Sequence, residues 1–238
     1  QHVAPTWLET PHRPYHEPTP DVVAVVDRIV DGILRRESGF FDAIRRRVAS
    51  GELGIHYVLG NHDRLLAHAP EARRAVWRAL TGDARGPTFP GEAFFPEHGV
   101  LAYHGHAGDP INHAPEDSAT IGDAIASELI VRFPRSVQGL LGRPHAELED
   151  IDDVRPIYAV PAWVRQLGIQ HRELLKPVAD TWSGLVEEFL HNAFVRGWMR
   201  SQHKSFGLDT GTKLRLLLEL STGKVMAHTH DQRLTKLY

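Results

Sequence analysis

Three short apolar runs in this chain each break off into a cluster rich in histidine or asparagine, and that repeated arrangement narrows the possible folds more than any other feature. Residues 55–59 end at Gly60-Asn61-His62-Asp63, residues 100–103 at His104-Gly105-His106, and residues 224–227 at His228-Thr229-His230. Short apolar runs closed by such clusters read as strands buried by helices on their faces. In open α/β sheets the ligand sits beyond the carboxyl ends of the strands, so the three clusters are expected to share one rim.

Helical patterns fill the intervals. Thr19 and Pro20 supply a cap and a first-turn proline for a helix striped by Val22, Val25, Val26, Ile29 and Val30. A second helix is predicted from Ser38 through Phe40, Phe41, Ile44 and Val48 to the stop at Gly51, and a third over 70–80. Residues 1–18, broken by prolines, read as a surface loop. Between about 115 and 207 the chain is mostly helical, over 121–133 and 181–199, around a loop rich in proline and acidic residues at 143–161. The run 213–220 suits helix or strand, and the turn at Thr222-Gly223 favours a hairpin with 224–227. The expected fold class is therefore α/β, with residues 1–238 as a single domain carrying a helical insertion at 115–207.

Composition removes several kinds of chemistry. With 27 Lys and Arg against 30 Asp and Glu, the net charge of -3 offers no cationic field for nucleic acid. The absence of cysteine excludes disulfides, cysteine-ligated zinc and a thiol nucleophile, leaving His, Asn and carboxylates as metal ligands. No apolar stretch approaches the ~18 residues of a membrane span.

The clusters themselves point to cations. An Asn side-chain oxygen is a hard, neutral ligand, the adjacent His62 can reach a phosphoryl oxygen or a leaving group, and Asp63 can fix the tautomer of His62. His228-Thr229-His230 projects two rings to one side of an extended chain. In order and in strand context, these motifs resemble the calcineurin-like metallophosphoesterases, which carry Gly-Asn-His-Asp, then a strand-terminal His, then Gly-His-x-His. Here Ala227 replaces the last motif's glycine.

The resemblance implies a β-sandwich flanked by helices and two divalent metal ions drawn from Mn, Fe, Zn or Mg. It assigns Asn61, His104, His228 and His230 as metal ligands and His62 with Asp63 as catalytic residues. Two further motifs of the family, Asp-x-His and Gly-Asp, do not occur in the required order. No Asp-x-His exists, and Gly82-Asp83, Gly108-Asp109 and Gly122-Asp123 all follow Gly60. The expectation is an N-terminally incomplete domain whose activity as given is impaired.

The expected function is hydrolysis of phosphate esters on a small phosphorylated substrate in the cytoplasm. One alternative is a pyrophosphatase of a UDP-diacylglucosamine-type lipid precursor, which would work at the membrane periphery. Another is an inactive binding or scaffold relative. The stripe Ile125, Leu129, Ile130 and Phe133 is either core of the insertion or a cap that accepts an acyl chain. Arg132 and Arg135 are either a solvated face or phosphate contacts.

Overall fold

The computed structural model describes residues 4–86, 88–113, 118–154, 159–202 and 210–222. Contacts gather the chain into two compact units, Gln1–Asp123 and Ala124–Tyr238. The helical segment expected from 115 onward falls in the second unit from Ala124. The described residues are mostly helical, with one small antiparallel two-stranded sheet.

The first unit is organised by helix α1 (Pro20–Arg36), which begins where Thr19 accepts a hydrogen bond from the Val22 N–H. Its apolar stripe is buried against Trp7, Leu59, Leu65, Leu66, Ala69, Ala72 and Phe89, each fully buried aliphatic side chain stabilising by about 1.5–3 kcal/mol. Helix α2 (Ser38–Ala49) is mostly solvent-facing and packs on α3 (Pro70–Thr81), which in turn packs on α1. The first turn of α3 follows Ala69, whose side chain cannot cap, and α1 supplies the cap instead. Asp27 Oδ1 accepts from the Ala72 N–H at 3.1 Å, satisfying one of the orphan donors of a helix start.

Strand β2 (Val100–Tyr103) lies where the sequence places it, but its partner is β1 (Glu92–Phe95), antiparallel, with Phe94 opposite Leu101 and Glu92 opposite Tyr103. Gly99, at a φ of 60°, supplies the left-handed residue that turns β1 into β2. The strand expected over 55–59 does not form: those residues join no ladder, and the Leu59 N–H donates to the Pro90 carbonyl at 2.8 Å. A ladder needs a second extended segment alongside, and the segment that offers Pro90 turns away at Gly91.

The regular structure described in the second unit is all helical. The single helix expected over 121–133 is divided into α4 (Ile121–Ile125), a π-helical turn at Ala126–Ile130 and α5 (Arg132–Leu141). Pro134 just beyond lacks an N–H, and its ring crowds the carbonyl four residues earlier, so a regular α pattern cannot run through. A short α6 (Ala146–Glu149) occupies part of the stretch read as loop, α7 (Val160–Gln170) begins at that stretch's end, and α8 (Leu175–His191) is separated from α9 (Ala193–Ser201) by Asn192. Phe133 meets Trp182 edge to face at 5.6 Å between centroids, and Ile125, Leu129, Ile130 and Phe133 are all buried, as core residues are.

The hairpin reading of 213–220 is overturned. These residues lie in helix α10 (Thr210–Ser221), with Leu218 buried and Leu216 and Leu220 open to solvent. Leu214, Leu217 and Leu218 recur at helical spacing, which a two-residue alternation does not explain. Residues 223–230, including the expected strand at 224–227, lie outside the described residues.

Candidate functional site

The Gly60-Asn61-His62-Asp63 cluster forms the start of a 3-10 turn running from Asn61 to Ala67. Asp63 closes it: Oδ1 accepts from the Gly60 N–H at 2.8 Å, and Oδ2 accepts from the Tyr57 hydroxyl. Tyr57 in turn stacks on Phe89, with ring centroids 4.1 Å apart. Burial, first, and the Asp63 carboxylate, second, push the Tyr57 hydroxyl well above the ordinary tyrosine range, so it stays a donor. Asp63 thereby fastens the turn that presents Asn61 and His62, and these two bonds occupy both of its oxygens.

His104 emerges from the end of β2 and lies flat against Gly60. A Cβ on Gly60 would stand 2.5 Å from His104 Cδ2 and 2.7 Å from Nε2, a distance no side chain tolerates. Glycine at 60 is thus what lets the imidazole approach so closely, while its own backbone, at a φ of -105°, suits any residue. Gly105, at a φ of 82°, then reverses the chain so that His106 Nδ1 comes within 3.3 Å of His104 Nδ1.

The imidazoles form a row. His62 and His104 have centroids 6.3 Å apart, His104 and His106 5.2 Å, and His106 and His113 6.0 Å. Partial burial of the His62 ring, together with the positive charge His104 can carry, moves the His62 pKa below that of a free histidine. Its neutral form therefore prevails at neutral pH, with one ring nitrogen donating and the other accepting.

Asn61 is only 6% exposed, and its amide donates from Nδ2 to Asn112 Oδ1 at 3.2 Å. Beside it, the buried Arg64 reaches Asp123 at 3.0 Å and also donates to the Pro14 carbonyl. Asp123 accepts in addition from the Thr120 N–H, while Thr120 Oγ1 accepts from the Asp123 N–H, a reciprocal cap at the start of α4. A cavity of about 220 Å³ opens among these groups, lined by Gly60, Asn61, Arg64, His106, Asn112 and Thr120 among others.

Of the residues singled out from sequence, Asn61, His62, Asp63 and His104 gather around Gly60. His228 and His230 lie outside the described residues. Among the described residues, no group of three or more His, Cys, Asp or Glu is arranged to hold a metal ion. What is present near the turn that carries Asn61 is two imidazoles whose Nδ1 atoms are 3.3 Å apart. Two nitrogens ~2.0–2.1 Å from one cation on adjacent tetrahedral corners are separated by roughly that distance.

Sequence reasoning missed Tyr57, Arg64, Asn112 and Asp123. Thr120-x-x-Asp123 is a legible capping signature; Tyr57 acts on Asp63 within the same local segment, and Arg64 and Asn112 show themselves only through contacts between distant segments. No protein-family profile, no curated protein and no solved structure matches the chain.

Proposed function

We propose that the chain is a metal-dependent hydrolase of phosphate esters of the calcineurin-like kind. The observation that supports this most is the seating of His104, at the end of β2, against Gly60 of the Gly60-Asn61-His62-Asp63 turn. Two motifs far apart in sequence thereby meet, in the order they have in the resembling family, although only the second follows a strand.

In this reading Asn61 and His104 hold divalent cations, joined by His228 and His230 as the resemblance implies. Such cations, when bound, neutralise charge on the phosphoryl group and make water more acidic. His62 stands beside them as a neutral imidazole. Keeping its own proton, it donates a hydrogen bond to a phosphoryl oxygen or to the departing ester oxygen, which accumulates charge as its bond to phosphorus lengthens. Asp63 holds the turn so that His62 keeps this position. The cavity of about 220 Å³ beside Asn61, with Arg64 and His106 in its wall, has room for a small phosphorylated group.

We further propose that hairpin β1–β2 is part of the family's β-sandwich. One face carries Phe94, Leu101 and Tyr103, which are 65%, 51% and 61% exposed, the kind of surface a second layer covers. No described helix is long and apolar enough to cross a membrane; a cytoplasmic location is proposed along with the activity.

Protein expressed from the full reading frame and supplied with manganese is expected to hydrolyse p-nitrophenyl phosphate or bis(p-nitrophenyl) phosphate, and His62→Ala to lose that activity. No turnover of either ester with substoichiometric metal supports instead a binding or scaffold relative whose metal chemistry has been lost. No turnover with stoichiometric metal bound ends the hydrolase reading.

A further inference from the structure

We propose that Asp109 and Asn112, in series, are positioning residues that fix which end of the Asn61 amide is offered to a cation. This rests on the reading of Asn61 as a metal ligand. The two ends of an amide side chain are nearly identical in shape, and only its hydrogen-bond partners decide which way it lies. A cation requires the oxygen. A flipped Asn61 would present an NH₂ group and could not bind.

The structure contains a device that prevents the flip. Asp109 offers only acceptors, and its Oδ2 takes the hydrogen bond of Asn112 Nδ2 at 2.6 Å. That commits the nitrogen end of Asn112 and leaves its oxygen toward Asn61. Because Asn112 Oδ1 can only accept, Asn61 must donate to it from Nδ2, as it does at 3.2 Å. The Asn61 oxygen is thereby turned to the opposite side. One carboxylate thus sets two amides in succession.

The surrounding backbone holds both members of the series in place. Asp109 Oδ1 accepts from the Ile111 N–H at 2.8 Å, and the Asp109 carbonyl accepts from the N–H groups of Asn112 and His113. Gly122 donates its N–H to the Ile111 carbonyl at 2.9 Å, and a Cβ on Gly122 would stand 2.4 Å from Asn112 Oδ1. The Asn112 amide therefore occupies space that only a glycine at 122 leaves open. Groups that orient a metal ligand without touching the metal characteristically account for about 10–100-fold in affinity.

Titration of the metal-free full chain with Mn²⁺ by calorimetry, paired with melting curves without metal, tests this. Asn61→Leu establishes how much binding depends on Asn61. Asp109→Asn, which keeps shape but adds a donor, is expected to weaken Mn²⁺ binding about 10–100-fold with little change in melting temperature. The exchange Asp109→Asn with Asn112→Asp moves the carboxylate next to Asn61, where it still only accepts, and is expected to recover most of the lost affinity.

A purely structural role for the loop predicts no such recovery. If Asp109→Asn binds as tightly as the wild type, or the exchange melts normally but stays weak, the orientation device is overturned while the metal site stands. If the wild type binds no Mn²⁺, or Asn61→Leu binds as well as it does, the metal reading fails and takes the device with it.

Discussion

Gly60 shows how one missing side chain shapes a site. Its backbone dihedrals are open to any residue, so replacing it tests contact alone. Gly60→Ala must displace the His104 ring, because the added carbon would overlap it. On the proposed function, the expected result is an unchanged circular dichroism spectrum and a phosphoesterase rate lower by roughly 10²-fold, the cost of an ångström of misplacement in a catalytic centre. At the other end of the unit, Asp27 serves a helix that cannot cap itself. Asp27→Ala is expected to lower stability by about 1 kcal/mol, read as a lower urea midpoint with an unchanged slope.

Between elements, the Arg64–Asp123 pair connects the turn carrying Asn61 and His62 to the start of α4, and both side chains are nearly inaccessible. Arg64→Ala strands a buried carboxylate and is expected to cost about 3–5 kcal/mol, whereas Arg64→Met combined with Asp123→Leu removes both charges and should cost less than the sum of the single changes. Denaturant midpoints of the four proteins in this cycle decide it. How far such elements can be read from sequence depends on what specifies them. Helix α1 was legible because Thr19, Pro20 and a valine stripe are local signals, and β2 because a short apolar run ends at His104. Residues 55–59 carried a strand's composition but acquired no ladder, since pairing belongs to the neighbour as much as to the run itself. The leucines of α10 satisfied two periods at once, and the turn signal at Thr222-Gly223 tipped the reading the wrong way. Asn112 could not have been found at all, because its importance lies in a contact with Asn61 that only the folded chain creates.

At the scale of the molecule, the first unit carries every described residue of the candidate site, while the helical second unit buries the stripe Ile125, Leu129, Ile130 and Phe133 that a lipid-accepting cap would need on its surface. On the proposed reading, that burial fits a small phosphorylated substrate better than an acylated one. Because a cation binds the folded chain, Mn²⁺ at a hundredfold excess over its dissociation constant should stabilise the protein by about 2.7 kcal/mol, a shift in melting temperature that EDTA reverses and His62→Ala leaves intact. The position of that cation bears on everything else. Anomalous diffraction at the manganese edge from crystals grown with Mn²⁺ should place a peak within ligand distance of both the Asn61 side-chain oxygen and a ring nitrogen of His104. Manganese peaks only elsewhere on the molecule, or none at full occupancy of the medium, would contradict the account.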